Sequence, residues 1–174
     1  MNNEEFNIRV NVIQKTFNDM RKIKCITPEN IRKVDENIYP GGDIFTTEDG
    51  DFIDLEFQID DFDEEELVKY VELAETLYEK HQKHVAIYII CPNTINVSVT
   101  ECPILSEADF TIKLACIDED PCEIILRMIK NKIKNEETLD SNDIHALELL
   151  PLKCRPEKRN YFRKEYFKIM NELA

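Results

Sequence analysis

Apolar residues recur at helical spacing through Phe6, Val10, Ile13, Phe17 and Met20, which predicts an N-terminal helix ending around Ile23. Pro28 and then Pro40-Gly41-Gly42 break the chain beyond it into irregular segments. Ile44-Phe45-Thr46 and Phe52 to Ile59 read as the two strands of a hairpin turning at Glu48-Asp49-Gly50. Period-two alternation in the second strand sets Leu55, Phe57 and Ile59 on one face and Asp54, Glu56 and Gln58 on the other. One face is therefore expected to be core and the other to present oxygens. Asp60 to Asp63 supplies N-cap candidates for a long helix with a buried stripe of Leu67, Tyr70, Val71, Ala74, Leu77 and Tyr78. Val85 to Cys91 is an unbroken apolar run stopped by Pro92, as expected of a central strand covered on both faces.

Two further strands are expected, Ile95 to Glu101 and Phe110 to Cys116. Asp120-Pro121, a cap followed by proline at the first helical position, opens a helix with a stripe of Ile124, Ile125, Met128, Ile129 and Ile133. A short helix should run from Ser141 to just before Pro151. A last one carries Phe162, Tyr166, Ile169, Met170 and Leu173 on one face. The pattern is that of an α/β protein: one domain over residues 1–174, with a core of about 42–117 and a helical C-terminal part, 120–174.

Composition adds the frame. A chain of 174 residues with 43% hydrophobic content can bury a sizeable core, and no apolar stretch or leader pattern suggests a membrane span or signal. The expectation is a cytoplasmic protein with no membrane partner. Cys25, Cys91, Cys102, Cys116, Cys122 and Cys154 form no Cys-x-x-Cys pair and read as buried free thiols. His81 and His84 stand near a helix end, where they suit its dipole better than a metal. His145 is isolated.

The net charge of -14 opposes nucleic-acid binding, which draws its affinity largely from Lys and Arg. Its distribution matters more than its sum. Residues 43–66 hold twelve acids and no base, whereas residues 153–168 hold seven bases, among them Arg159, Arg163, Lys164 and Lys168. Arg127, Lys130, Lys132 and Lys134 also succeed one another without an acid between them. These stretches either track a phosphate backbone or are ordinary solvated helix faces.

The hairpin carries the chemistry. Carboxylates brought together on neighbouring strands raise one another's pKa unless a proton or cation lies between them, and a hard cation such as Mg2+ prefers such oxygens. Gly42-Asp43-Ile44, Asp49-Gly50, Ile53-Asp54-Leu55-Glu56-Phe57-Gln58, the helix with Lys69-Tyr70 and the strand Val85 to Cys91 resemble, in that order, the PD-(D/E)XK nuclease superfamily. More narrowly they are similar to its recombination-promoting nuclease or putative transposase branch, where Gln stands in the lysine position. Phe110-Thr111-Ile112-Lys113-Leu114, the helix after Pro121 and Leu149-Leu150-Pro151-Leu152 extend the likeness to residue 152. Residues 1–40 are not part of it, the proline that names the superfamily stands at Pro40, and no helical glutamate is matched.

The resemblance implies a restriction-endonuclease-like mixed sheet flanked by helices. It implies Asp43 and Glu56 as ligands of Mg2+ or Mn2+, and Asp43, Glu56 and Gln58 as the catalytic set. The implied activity is hydrolysis of DNA phosphodiester bonds by an endonuclease linked to recombination or a mobile element. A homodimer would be needed to cut both strands. Gln58 can hydrogen-bond a water or phosphate oxygen but cannot neutralise charge, so Lys113 is considered as a substitute cation. Asp54 shares the face of Glu56 as a ligand or as a solvated acid. Two other readings compete: a catalytically inactive nuclease fold acting as a binding or regulatory protein, and an interaction protein whose acidic hairpin is a solvated edge.

Overall fold

A computed structural model of the chain describes residues 1–99, 104–117 and 120–173. By density of internal contacts they fall into two compact units, Met1–Ile117 and Asp118–Ala174. The first contains a five-stranded mixed sheet in sequential order, β1 (Ile23–Ile26), β2 (Asp43–Thr47), β3 (Phe52–Phe57), β4 (Val85–Pro92) and β5 (Phe110–Ile117). Strands β1, β2 and β3 are antiparallel neighbours, and β4 and β5 continue parallel to β3. The parallel step from β3 to β4 needs a crossover, which α3 (Glu64–His81) supplies.

Each face of the sheet has its own helix. Ile44, Phe52, Ile87, Ile89 and Cys91 pack with Tyr70, Leu73, Ala74 and Leu77 of α3. Phe45, Ile53, Leu55, Ala86, Tyr88 and Ile90 pack with Ile13 and Phe17 of α1 (Asn3–Phe17). All eight residues of β4 are buried, as its unbroken apolar run requires. Asp63 caps α3 by accepting from the Glu66 N–H, as expected from the acidic run before the helix.

Several boundaries differ from the sequence reading. Helix α1 stops at Phe17 because Asn18 adopts the left-handed conformation, and Met20 beyond it is exposed. Ile23 opens a strand instead, with a bulge before Cys25. A short helix α2 (Glu29–Arg32) comes directly after Pro28. The buried stripe of α1 is Glu5, Arg9, Ile13 and Phe17, a four-residue repeat whose first two members are polar. In α3, Leu73 is fully buried and Val71 is not.

Residues 95–99 do not form the expected strand; one bridge joins Val97 to Phe62, and Thr100 and Glu101 lie outside the described residues. Cys102 lies outside them as well. Of the described thiols, Cys91, Cys122 and Cys154 are buried, but Cys25 on β1 is half-buried and Cys116 on β5 exposed, both strands lying at the edges of the sheet.

The second unit is helical: α4 (Pro121–Lys134), α5 (Ser141–Lys153), a single 3-10 turn at Pro156–Lys158 and α6 (Arg159–Leu173). Asp120 caps α4 with Pro121 at its start. Helix α5 does not end before Pro151 but runs through it to Lys153. A proline in the last turn forgoes one backbone bond, and here its ring is buried, as are Leu147 and Leu150 of the same helix. Among the described residues no helix is long and apolar enough to cross a membrane.

Candidate functional site

Asp54 and Glu56 do share one face of β3, and Gln58, just past its end at Phe57 and still bonded through its N–H to the Ile90 carbonyl, continues it, but that face is covered rather than open. Their exposures are 0%, 5% and 5%. Strand β3 lies inside the sheet, between β2 and β4, and α3 closes over this side. The hairpin is therefore not a solvated edge.

The loop before β2 lids the carboxylates. Gly42 N–H donates to Glu56 Oε1 at 2.6 Å and lies 3.1 Å from Asp54 Oδ1, while Tyr39 Oη donates to Glu56 Oε2 at 2.8 Å. Only glycine admits this approach: a Cβ on Gly42 would come 2.8 Å from the Leu55 carbonyl oxygen and 3.0 Å from Glu56 Oε2. Gly41 takes φ of +80°, which a side chain would strain.

Burial sets the protonation. Asp54 is pushed well above the usual carboxylate range by burial and by the neighbouring Glu56 charge, against the opposing Gly42 hydrogen bond. Glu56 is raised too, by burial, although hydrogen bonds from Asp54, Tyr39 and Gly42 pull the other way. Both carboxyl groups are thus biased toward the protonated form, Asp54 the more strongly. Asp54 Oδ2 otherwise has no partner.

Asp43 stands apart from that pair. It is in register with Leu55 and so projects toward α1, on the opposite face of the sheet from Glu56. There its Oδ2 accepts from Arg9 Nε. It stays within electrostatic reach, contributing to the upward shifts of both Asp54 and Glu56. Glu5, one turn before Arg9, is also buried and its Oε1 has no partner.

Gln58 is held at both ends of its amide. Its Oε1 accepts from Tyr70 Oη at 3.1 Å, and its Nε2 donates to Glu66 Oε2 at 3.1 Å. The cation nearest this network is Lys69, 2.5 Å from Glu66 Oε2 and 4.8 Å from the Tyr39 ring centroid. Lys113 does not serve here. It pairs in register with Tyr88, on the α1 side, and lines a separate open cleft of about 510 Å³ with Phe17, Asp19, Arg21 and Tyr88. The histidines are also dispersed: His81 bonds the Ile31 carbonyl at 2.9 Å, and His84 pairs with Asp109.

Sequence reasoning missed Arg9, Tyr39, Gly42 and Lys69 as neighbours of the carboxylates. Only the Gly41-Gly42 doublet carried a signal, since adjacent glycines allow close backbone approach. Comparison with models of protein families, with curated proteins and with solved structures finds no match for this chain.

The donor set can be tested against a divalent cation. Among the described residues no three His, Cys, Asp or Glu side chains gather into a metal cage. Mg2+ does not need one, because it keeps several waters and takes one or two carboxylates. The Asp54–Glu56 pair supplies two carboxyl groups and one oxygen lacking a partner, while both Glu56 oxygens already accept hydrogen bonds.

Proposed function

We propose that this chain is a Mg2+- or Mn2+-dependent DNA endonuclease with a restriction-endonuclease-like core, linked to recombination or a mobile element. The observation that carries the reading is the buried Asp54–Glu56 pair on an interior strand, with Asp54 Oδ2 lacking any partner. Two buried carboxyl groups are costly to a fold that uses them only for structure. The mixed sheet with a helix on each face supports the same reading.

Glu56 and Asp54 would hold the ion; Asp43, the other ligand that the resemblance implies, is paired with Arg9 on the opposite face of the sheet. When bound, the ion would polarise the scissile phosphate and lower the pKa of an attacking water. The chain's own groups do the positioning. Tyr39 and Gly42 orient Glu56, while Tyr70 and Glu66 fix the two ends of the Gln58 amide. Cutting both strands of a duplex takes two such sites, so a homodimer belongs to the proposal.

The test is nicking of supercoiled plasmid in Mg2+ or Mn2+ by wild type, Asp43→Asn and Glu56→Gln. Loss of nicking in the variants supports the assignment; equal nicking by all three removes it.

A second reading, a catalytically inactive nuclease fold acting in binding or regulation, is favoured by the Arg9–Asp43 ion pair and by the donors already on both Glu56 oxygens. Calorimetric titration with Mn2+ separates the two. No Mn2+ binding, together with no nicking by the wild type, selects the second.

A further inference from the structure

Helix α6 turns to solvent a face that its own packing does not use. Its buried side is narrow, Phe162 and Ile169, two turns apart. At about 100° per residue, Phe167 lies roughly 160° round the helix from Ile169. It is 57% exposed. Arg163 and Lys164, one turn earlier, and Lys168, its neighbour, flank it and are exposed as well. Glu165 is turned away and pairs with Lys130. Lys168 shares a groove with Glu172, and among the described residues no acid is paired with Arg163 or Lys164, on which the uncompensated charge centres.

Such a face is out of keeping with the rest of the chain. Residues 1–117 hold 24 acids against 11 bases, whereas residues 118–174 hold 12 against 11. The Phe167 ring is exposed, and cations surround it. They match a strand whose phosphates are charged and whose bases are free to stack. A convex aromatic platform cannot reach bases that are already paired, which disfavours duplex. A helix lying on a membrane segregates its apolar residues from its cations, and here the two share one face.

We propose that the α6 face centred on Phe167 docks single-stranded nucleic acid, with Arg163 and Lys164 on phosphates and Phe167 stacked on an unpaired base. The inference rests on the reading that the chain acts on nucleic acid and identifies the surface that would hold the strand.

The experiment is fluorescence anisotropy of a labelled oligodeoxythymidylate with the full chain in EDTA, across a salt series, beside plasmid nicking in Mg2+. Phe167→Ala should weaken binding about tenfold or more. Arg163→Gln with Lys164→Gln should make the slope of log affinity against log salt shallower by about 1.4. All these positions on α6 are exposed, so the variants keep the fold. Absent binding by the wild type, equal binding by the α6 variants, or tighter binding to vesicles containing phosphatidylserine each overturns the proposal. Binding that depends on α6 in a wild type that does not nick leaves this surface standing and removes only the hydrolytic reading.

Discussion

Arg9 of α1 pairs with Asp43 at the head of β2, on the face of the sheet opposite Glu56. The guanidinium is buried and the carboxylate is 29% exposed, so the pair sits between the surface and interior regimes. Arg9→Met should cost about 1–3 kcal/mol by leaving Asp43 partly buried and unpaired. A double-mutant cycle with Asp43→Asn, read by urea unfolding, should give a coupling of about 1–2 kcal/mol. If Asp43 serves a cation, Arg9→Met should also tighten Mn2+ binding, and calorimetry would record it.

The Asp54–Glu56 pair makes a signed prediction about pH. Asp54 titrates above its ordinary value in the folded chain. As pH rises past the unfolded carboxylate range, the unfolded chain releases this proton while the folded chain keeps it. Stability therefore falls with rising pH until the folded group also ionises. Asp54→Asn should remove the share of that fall that Asp54 contributes and raise neutral-pH stability. Unfolding midpoints at acidic and neutral pH would check it; a steeper fall in the variant would refute it.

Asp19 runs the other way. Burial alone would raise it, but the Arg21 guanidinium and the Tyr88 hydroxyl, 2.7 Å from Oδ2, outweigh burial and hold it at about 2. Its contribution is complete above the unfolded value near 3.8 and is lost as pH falls toward about 2. Asp19→Asn should lower neutral-pH stability by at most about 2 kcal/mol and flatten the acid limb over that window. Acid titration of near-ultraviolet circular dichroism would track it through Tyr88, which stacks on Phe17.

Gly42→Ala tests the lid. The added methyl group would meet the Leu55 carbonyl, so the loop must shift and its N–H must leave Glu56. The expected cost is about 1–3 kcal/mol. The shift should also expose Glu56 and bring its titration, monitored by carboxyl NMR, back toward the ordinary range. A variant with wild-type stability and unchanged titration would show that the lid is not held by this contact.

The β2–β3 hairpin, β4, β5, α3 and α4 were legible because local patterns specify them: period-two alternation, an unbroken apolar run, and acids at helix starts. Strand β1 was not, since four residues beside a helix have too little pattern of their own. They become a strand by pairing with β2. The end of α1 was misplaced for a similar reason. Met20 continued the apolar rhythm, but a left-handed Asn18 had already broken the backbone.

For the site, the alternation of charged and apolar residues along β3 settles by itself that Asp54, Glu56 and Gln58 share a face, because side chains of a strand alternate whatever surrounds them. Whether that face meets water is not a property of the strand. Only the packing of α3, Tyr39 and the Gly41-Gly42 loop buries it, and burial converts three oxygen-bearing side chains into two carboxyl groups with raised pKa and an anchored amide. The same holds for Asp43. Its place in the sequence puts it beside Glu56 in the hairpin, but register sends it to the other face, where an arginine from a distant helix takes its charge. Desolvation and charge pairing depend on residues remote in the chain, so tertiary structure alone decides them.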